Sequence, residues 1–246
     1  MSTSNSVYEI RNGEGIIPVG TKKVVADAFR DCQDLLSVKI PEGVTSIGSC
    51  AFRGCRRLAS VEIPNSVTVI DREAFSNCKS LTELSLPSTL ESIDFWAFED
   101  CESLTRVELP KSLKSINWAA FGSARIDELV LPFSTPSDEL IVSLAQASIR
   151  KIVIPNGSLN AYVRAIKNSD HLSDTKKRLC NALVEEGGLT LKAIEERRRA
   201  EEREEREAYR RKEAKKDRIK SIIEKIIVGA IALWFITGVV WACFFQ

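Results

Sequence analysis

The sequence contains very little of what enzymes and metal sites need. Its 246 residues include one histidine, His171, and no cysteine or serine near it in sequence forms a nucleophile motif. Glycine-rich phosphate loops, zinc-ligand spacings and kinase signatures are also missing. The sequence therefore predicts a protein that is not an enzyme and that has no catalytic, cofactor-binding or metal-binding residues.

Charge gives no sign of a nucleic-acid partner either. The net charge is +1, with 35 basic and 34 acidic residues, so the basic excess typical of nucleic-acid-binding proteins is missing. No motif indicates a small-molecule substrate. The first fifteen residues are polar and lack the apolar run of a signal peptide, so we expect no signal peptide and a flexible N-terminus over residues 1–15.

What the sequence does contain is a repeat of 23 residues. Seven of the eight prolines follow an apolar residue at steps of 23, 23, 23, 23, 22 and 23: Pro18, Pro41, Pro64, Pro87, Pro110, Pro132 and Pro155. Ala-Phe pairs recur with the same step, at Phe29, Phe52, Phe75, Phe98 and Phe121. A fixed period of this length is typical of solenoids, in which each unit buries its apolar side only against its neighbours.

The spacing inside one unit predicts a short parallel strand. Leu35, Val38 and Ile40 follow the L-x-x-L-x-L spacing of leucine-rich repeats, and the same positions are apolar in the next three units. The alternation places Val38 and Ile40 inward, and the next residue, a proline, cannot donate to a sheet and marks the strand's end. We predict a β-rich α/β leucine-rich-repeat solenoid over residues 16–155, with the repeated phenylalanines buried.

A column of cysteines follows the same repeat, at Cys32, Cys55, Cys78 and Cys101. Neighbouring rungs of a solenoid stack about 4.8 Å apart, so neighbouring thiols would lie within disulfide range. Free cysteine is also a common buried apolar residue, and we favour buried free thiols. A zinc site is disfavoured because a straight column does not offer four converging ligands.

Two segments, IPEGVTSIGSCAFRGCRRLASVEIP and IPNSVTVIDREAFSNCKSLTELSLP, resemble the BspA-type leucine-rich repeats. The resemblance covers residues 16–165. It implies a parallel-stranded solenoid with an interaction role and without catalytic residues. Many members of that family are secreted or surface-bound adhesive proteins, so the resemblance also implies adhesion as an alternative role.

Helices are predicted around and after the last repeats. Thr135 as the N-cap, Pro136 at the first helical position and two acidic residues after them predict a helix over residues 136–147. Ser158 is an N-cap residue at the start of a predicted helical cap over residues 156–188, which the glycine pair at 187 and 188 would end.

The last part of the chain predicts a stalk and a membrane anchor. Residues 189–225 are predicted to form a charged helical stalk, with oppositely charged residues four positions apart such as Glu202 and Arg206; disorder is the alternative. The uncharged residues 226–245 are long enough to span a bilayer, so we predict a transmembrane tail anchor over residues 226–246. Because lysine and arginine precede it, we expect the solenoid to be cytoplasmic.

Two surfaces are candidate protein-binding sites. The first is the outward face of the strands, where mixed charges suit a protein better than a nucleic acid; its residues are Lys39, Glu62, Glu83, Arg106, Glu108 and Glu128. The second lies on the connecting arm, where Phe95 and Trp118 share one repeat position and Trp96 is adjacent. The alternatives are a plain solvated sheet for the first surface and packing beneath a neighbouring loop for the second.

These features predict a membrane-anchored interaction or scaffold module that binds a partner protein through its repeat surface. The alternative is a cell-surface adhesin with the solenoid facing outwards.

Overall fold

The computed structural model describes the backbone of residues 8–169 and 175–244, and the side chains of residues 8–169 and 175–218. The chain divides into two compact units, Met1–Lys192 and Ala193–Gln246. His171 and the first seven residues of the predicted flexible N-terminus lie outside the described ranges.

The first unit is a coil of rungs that carries two sheets. The larger sheet has nine strands: β1 (Glu9–Arg11), β2 (Glu14–Ile16), β4 (Ser37–Lys39), β6 (Ser60–Glu62), β8 (Glu83–Ser85), β10 (Leu104–Glu108), β12 (Arg125–Val130), β13 (Ser148–Ile154) and β14 (Leu183–Glu185). The smaller sheet has five: β3 (Lys23–Val24), β5 (Ser46–Ile47), β7 (Val69–Ile70), β9 (Ser92–Ile93) and β11 (Ser115–Ile116).

The 23-residue period sets the register of the larger sheet. Val38 pairs with Val61, and Val61 pairs with Leu84, in parallel strands. All three side chains are buried, while those of the residues beside them face outward. The predicted parallel-stranded solenoid is therefore confirmed.

The smaller sheet was not predicted. Its strands are two residues long, which is too short to show the alternation that identifies a strand in a sequence. Ile47, Ile70 and Ile93 nevertheless stack in register and are fully buried. The segments that end in these isoleucines therefore form a second sheet instead of a simple turn.

The repeated phenylalanines form one continuous stack inside the coil. Ring centroids of successive residues from Phe29 to Phe121 are 5.4, 5.0, 5.5 and 5.5 Å apart, and each ring is within 16° of parallel to the next. Every one of these side chains is at most 1% exposed. Because a buried phenylalanine contributes about 1.5–3 kcal/mol, and its neighbours bury both of its faces, each rung depends on the rungs beside it.

The first four rungs pass twice through left-handed backbone, on either side of the Ala-Phe pair, and the rung of Phe121 passes once, at Ser123. The first column has φ between 56° and 58°: Asp27, Cys50, Glu73 and Trp96. The second has φ between 53° and 72°: Asp31, Gly54, Asn77, Asp100 and Ser123. Backbone N–H groups in both columns donate to the next rung, as from Cys50 N to Arg72 O at 3.0 Å and from Asn77 N to Glu99 O at 2.7 Å. These hydrogen bonds offset the unfavourable backbone conformation.

Residues 9–16 contain two strands, so the prediction of a flexible N-terminus over residues 1–15 is wrong for this part. Strands β1 and β2 form an antiparallel hairpin that pairs with β4. Asn12 and Gly13 have φ of 51° and 84°, which suits the two-residue Asn-Gly turn of a hairpin. Tyr8 packs edge-on against Phe29, with ring centroids 5.5 Å apart. The hairpin thus covers the first rung.

Three helices connect the last strands of the larger sheet: α1 (Asp138–Gln146) lies between β12 and β13, and α2 (Leu159–Asn168) and α3 (Lys176–Ala182) lie between β13 and β14. The cap of α1 is Ser137, whose Oγ accepts from Leu140 N at 3.2 Å, and not Thr135 as the sequence predicted. Ser158 is the N-cap of α2 but makes no side-chain capping hydrogen bond.

The predicted helical cap over residues 156–188 is wrong at its end. After α3 the chain forms β14, which pairs in parallel with β13. This strand covers the edge that β13 would otherwise leave open, and Leu183 is 1% exposed. The strand ends at a turn in which Gly188 N donates to Glu185 O at 2.7 Å.

The second unit consists of the helix α4 (Leu191–Phe244), whose first two residues lie in the first unit. Ion pairs four residues apart join Arg197 to Glu201 at 3.2 Å and Arg211 to Glu207 at 3.5 Å. The sequence predicted a pair between Glu202 and Arg206. In the structure Glu202 pairs with Arg198 instead, at 3.6 Å. No helix in the part of the chain with described side chains is long and apolar enough to cross a membrane. The predicted anchor over residues 226–246 lies beyond those side chains and stays a prediction.

The cysteine column contains free thiols. Cys55, Cys78 and Cys101 are buried and unpaired as disulfides. Each thiol donates to a backbone carbonyl of the preceding rung, at Sγ–O distances of 2.9, 3.1 and 3.3 Å. Burial raises the pKa of Cys55 and of Cys101 to about 12, and it raises the pKa of Cys78 as well.

These thiols predict a loss of stability in alkali. Between pH 9 and 12 an unfolded thiol is ionised while the buried one keeps its proton, so unfolding releases protons and the free energy of unfolding falls by up to about 1.4 kcal/mol per pH unit for each thiol. Cys101→Ala should be less stable at pH 7, because it leaves a cavity, but should lose less stability between pH 9 and 10.5. Urea unfolding followed by circular dichroism measures both. Equal slopes for the two proteins would contradict the prediction.

Candidate functional site

Charges on the outward strand face pair with one another across neighbouring rungs. Lys39 Nζ is 2.8 Å from Glu62 Oε2. The Arg106 guanidinium contacts Glu128, which also binds Lys151 Nζ at 2.8 Å. Arg106 is in addition 3.5 Å from Glu108. The strand face therefore carries a series of ion pairs.

This pairing limits what the strand face offers a partner. The side chains of Lys39 and Glu62 are 72% and 71% exposed, and ion pairs in water contribute about 0–1 kcal/mol. Glu83 shares its strand register with Arg106 but has no ion pair among the described residues. A partner would have to compete with existing pairs for little gain.

The three predicted aromatic residues of the arm come together. Phe95 and Trp96 pack edge to face with ring centroids 4.2 Å apart, and Phe95 and Trp118 do so at 5.0 Å. Phe95 and Trp96 are half-buried, while Trp118 is 47% exposed. The group is thus partly packed against itself and partly open to solvent.

An arginine completes this group, and sequence reasoning missed it. The Arg72 guanidinium lies 5.7 Å from the Phe95 ring centroid and 5.1 Å from that of Trp96, within the range of cation–π attraction. Arg72 belongs to the same repeat position as Phe95 and Trp118, so the 23-residue register could have identified it. We call Arg72, Phe95, Trp96 and Trp118 the aromatic arm patch.

A buried carboxylate holds the arginine in place. Arg72 Nε donates to Glu73 Oε1 at 2.9 Å, and Arg53 contacts the other oxygen of Glu73. Glu73 is 7% exposed and lies in the left-handed column that also contains Trp96. The same backbone conformation in successive rungs therefore places Glu73 and Trp96 one above the other beside Arg72.

A groove continues from the aromatic arm patch. It has a volume of about 630 Å³ and lies between Trp118 and one side of α1, where Val142 and Ala145 are its apolar residues and Asp138 and Glu139 are acidic. Within the described ranges, no group of three or more His, Cys, Asp and Glu side chains is placed to hold a metal ion. The groove and the aromatic arm patch therefore form a contact surface that suits an apolar or aromatic group.

The role of Glu73 can be tested through stability. Glu73→Gln keeps the shape of the side chain but removes the charge that binds two arginines, so we expect the free energy of unfolding to fall by about 1–3 kcal/mol and the tryptophan emission to change as Arg72 is released. Urea unfolding followed by circular dichroism and fluorescence measures both effects.

The matched control is Glu91→Gln on the same arm. Glu91 pairs with Lys114 at 2.7 Å, but both side chains are exposed, so we expect a change within about 1 kcal/mol. Similar losses for the two variants would show that Glu73 is not the anchor of the aromatic arm patch.

Several solved structures are similar to this chain. They include the T. pallidum leucine-rich repeat protein TpLRR, with 24% identity, coverage of 72% of this chain and 94% of that one, and a TM-score of 0.40. A leucine-rich repeat protein from Bacteroides ovatus ATCC 8483 has 19% identity, 61% and 57% coverage, and a TM-score of 0.37. The pneumococcal vaccine antigen PcpA has 17% identity, 67% and 46% coverage, and a TM-score of 0.45. This chain thus spans about half the length of the last two.

No curated protein matches this chain. The family model described as a BspA type leucine rich repeat region does match, in six copies over residues 22–137. The matched range contains the phenylalanine stack, the cysteine column and all of the aromatic arm patch. Residues 22–137 of this chain are therefore similar to the BspA-type leucine-rich repeats.

Proposed function

We propose that this protein is a non-catalytic, membrane-anchored interaction module that binds a partner protein through the aromatic arm patch. The observation that carries the proposal is the cluster of Phe95, Trp96 and Trp118 around Arg72. The equivalent residue in an earlier rung is Ser49, so the repeat itself does not require aromatic residues there.

The composition of the aromatic arm patch is that of a binding hot spot. Tryptophan and arginine are the residues most enriched where truncation costs most of the binding energy. Trp118 keeps 47% of its surface exposed at the mouth of the groove beside α1. A partner that covers Trp118 would gain the apolar burial that the rung itself leaves unused.

The patch is also held in position before any partner arrives. Glu73 fixes Arg72, and the two edge-to-face contacts of Phe95 fix the two tryptophans. Ordering a long side chain on binding costs about 0.5–1.5 kcal/mol. Because folding already orders these side chains, binding a partner does not carry that cost again. The ion pairs of the strand face, by contrast, would have to rearrange.

Cross-linking in cells can test the patch. With the photoreactive amino acid p-benzoylphenylalanine in place of Trp118, we expect an adduct of one discrete mass that contains a partner protein. Arg72→Ala in the same chain should weaken it, because the loss of a hot-spot residue costs about 2 kcal/mol or more, or about 30-fold in affinity.

The control places the same photoreactive residue at Lys39 on the strand face, where we expect no discrete adduct. A second control reverses the charges of Arg106 and Glu108, which should leave the Trp118 adduct unchanged. If the adduct forms at Lys39 instead and disappears with the charge reversal, the partner binds the strand face and the aromatic arm patch is not the site.

The proposed anchor is residues 226–245, a run of twenty residues without charge. Confinement to a membrane raises the concentration of the solenoid near other membrane-bound proteins, so a modest affinity suffices. The charged segment before the anchor, 195–218, would span roughly 36 Å as a helix. Lysine and arginine precede the anchor, which favours a cytoplasmic solenoid.

Replacing both Ile231 and Val239 by arginine should release the protein from membranes. Each arginine at the bilayer centre costs about 2.5–3.5 kcal/mol of insertion, while the rungs, which lie in the other compact unit, should keep their circular dichroism spectrum. Fractionation after a high-salt wash measures the effect, and Ile231→Leu with Val239→Leu is the matched control. A double-arginine variant that still sediments with membranes would refute the anchor.

The alternative is an adhesin with the solenoid facing outwards, which many relatives of this type would suggest. The same cells decide the question. Protease added to intact cells should leave the solenoid intact until lysis if it is cytoplasmic, and should remove it at once if it faces outwards.

A further inference from the structure

We infer that the unpaired edge of β11, beside α1, binds an extended segment of a partner protein as a sixth strand of the smaller sheet. This inference rests on the proposed protein-binding function and names a type of partner segment for it. Exposed sheet edges bind peptides in this way, with main-chain hydrogen bonds giving affinity and side-chain pockets giving specificity.

The earlier rungs show which groups the edge of β11 presents. In the smaller sheet, Thr45 O accepts from Thr68 N at 2.9 Å and Ile47 O accepts from Asp71 N at 2.9 Å. The next junctions repeat both bonds, and the last is made by Lys114 N to Glu91 O at 2.8 Å and by Asn117 N to Ile93 O at 3.0 Å. In these two junctions the following N–H, of Ser92 or of Ser115, also donates to the first acceptor, at 3.1 Å. The matching acceptors on β11 are therefore Lys114 O and Ile116 O.

Within the described residues, the next turn of the chain does not supply a donor to Lys114 O. Strand β11 pairs with β9 on one side and is the last strand of its sheet. The 22-residue step between Pro110 and Pro132 places Pro136 in the column that includes Thr68, Glu91 and Lys114, and proline has no N–H. Residues 138–146 then form α1 instead of a strand. No donor among the described residues is bonded to Lys114 O or Ile116 O.

The space at this edge suits an extended segment with an aliphatic side chain. A cavity of about 380 Å³ lies between β11 and the chain leading into α1. Its apolar residues are Leu113, Ile116, Phe133 and Leu140, and Ile116 is 9% exposed. By the pattern of the earlier rungs, the bound segment runs parallel to β11, donates two N–H groups three residues apart, and buries the aliphatic residue before the second donor.

The other ends of the two sheets are protected. At β3, the Tyr8 hydroxyl accepts from Val25 N and donates to Lys23 O, both at 3.3 Å. At β14, Val184 forms a bridge with Thr190. Strand β1 is three residues long and carries an exposed ion pair between Glu9 and Arg11. Charge on a short edge strand discourages pairing with another strand. Because Tyr8 blocks β3, a second copy cannot continue the smaller sheet of the first, so the occupant is a segment of another protein.

The position of Trp118 connects this edge to the aromatic arm patch. Trp118 follows Ile116 by two residues, and Glu139 contributes to both the cavity at β11 and the groove beside Trp118. A segment running parallel to β11 would leave the edge toward Trp118. One partner could therefore pair with β11 and cover the exposed tryptophan.

The test uses the full chain in detergent micelles and a fluorescent peptide with the sequence of residues 88–95, STLESIDF, which makes these bonds within the protein. We expect saturable binding by fluorescence polarisation. Replacing the amide by an ester at the position of Asp94 removes the donor to Ile116 O and should weaken binding about 3- to 10-fold. An ester at Glu91 should have a smaller effect, because in the protein Ser92 N donates to the same acceptor as Glu91 N, at 3.1 Å. The matched control is an ester at Ile93, whose N–H is not among the donors to the preceding rung, and it should bind like the parent peptide.

Two further measurements place the peptide and separate this inference from the proposed function. A photoreactive peptide should cross-link within residues 113–116 or 133–140, and Arg72→Ala should leave its affinity unchanged although that variant weakens the arm patch. The inference is overturned by absence of binding at millimolar peptide, by equal affinity for all three esters, or by adducts elsewhere on the chain.

Discussion

The fold depends on one constraint: each rung is stable only against its neighbours. The phenylalanines of the inner rungs, Phe52, Phe75 and Phe98, have their faces covered by the rings of the rungs before and after them, and the left-handed turns are satisfied by carbonyls of the next rung. Ordering a rung costs about 1–2 kcal/mol of backbone entropy for each residue, which a single rung cannot recover from its own contacts. The 23-residue period is therefore a physical requirement, since a shift would remove ring contacts and hydrogen bonds together.

The same constraint makes the two ends of the coil special, because each lacks a neighbour. At the start, a hairpin and one tyrosine hydroxyl replace a missing rung. At the other end the two sheets part: the larger continues through β12, β13 and β14, while the smaller stops where α1 begins. One missing residue in the repeat and one proline, Pro136, are enough to separate them.

Much of this architecture could be predicted because it is periodic. The prolines, leucines and phenylalanines identified the rungs, the inward side chains and the buried column without any structure. The smaller sheet escaped because two-residue strands have no alternation to detect. The pair Asn12-Gly13 is typical of a hairpin turn, but the polarity of residues 1–15 led to the prediction of a flexible segment. Leu183 to Glu185 continued an apolar pattern that suited a helix, and only the open edge of β13 made it a strand.

The candidate site was predictable only in part, for a related reason. The three aromatic residues were visible in the repeat alignment, but Arg72 and Glu73 looked like ordinary surface charges. Their roles arise from the left-handed backbone at Glu73 and Trp96, which depends on hydrogen bonds between rungs and not on the local sequence. When a charged residue acts on residues of the next rung, the residues beside it in sequence do not reveal its role.

The opposite charges along helix α4 reduce the electrostatic field that the helix produces at a distance. Among residues 195–218, 11 basic and 9 acidic side chains alternate closely, and ion pairs one turn apart join Arg197 to Glu201 and Arg211 to Glu207. Opposite charges this close cancel within the Debye length of about 8 Å at physiological salt. Beyond that distance, residues 195–218 therefore present little more field than their excess of two positive charges would give, although nearly every side chain there is exposed to water.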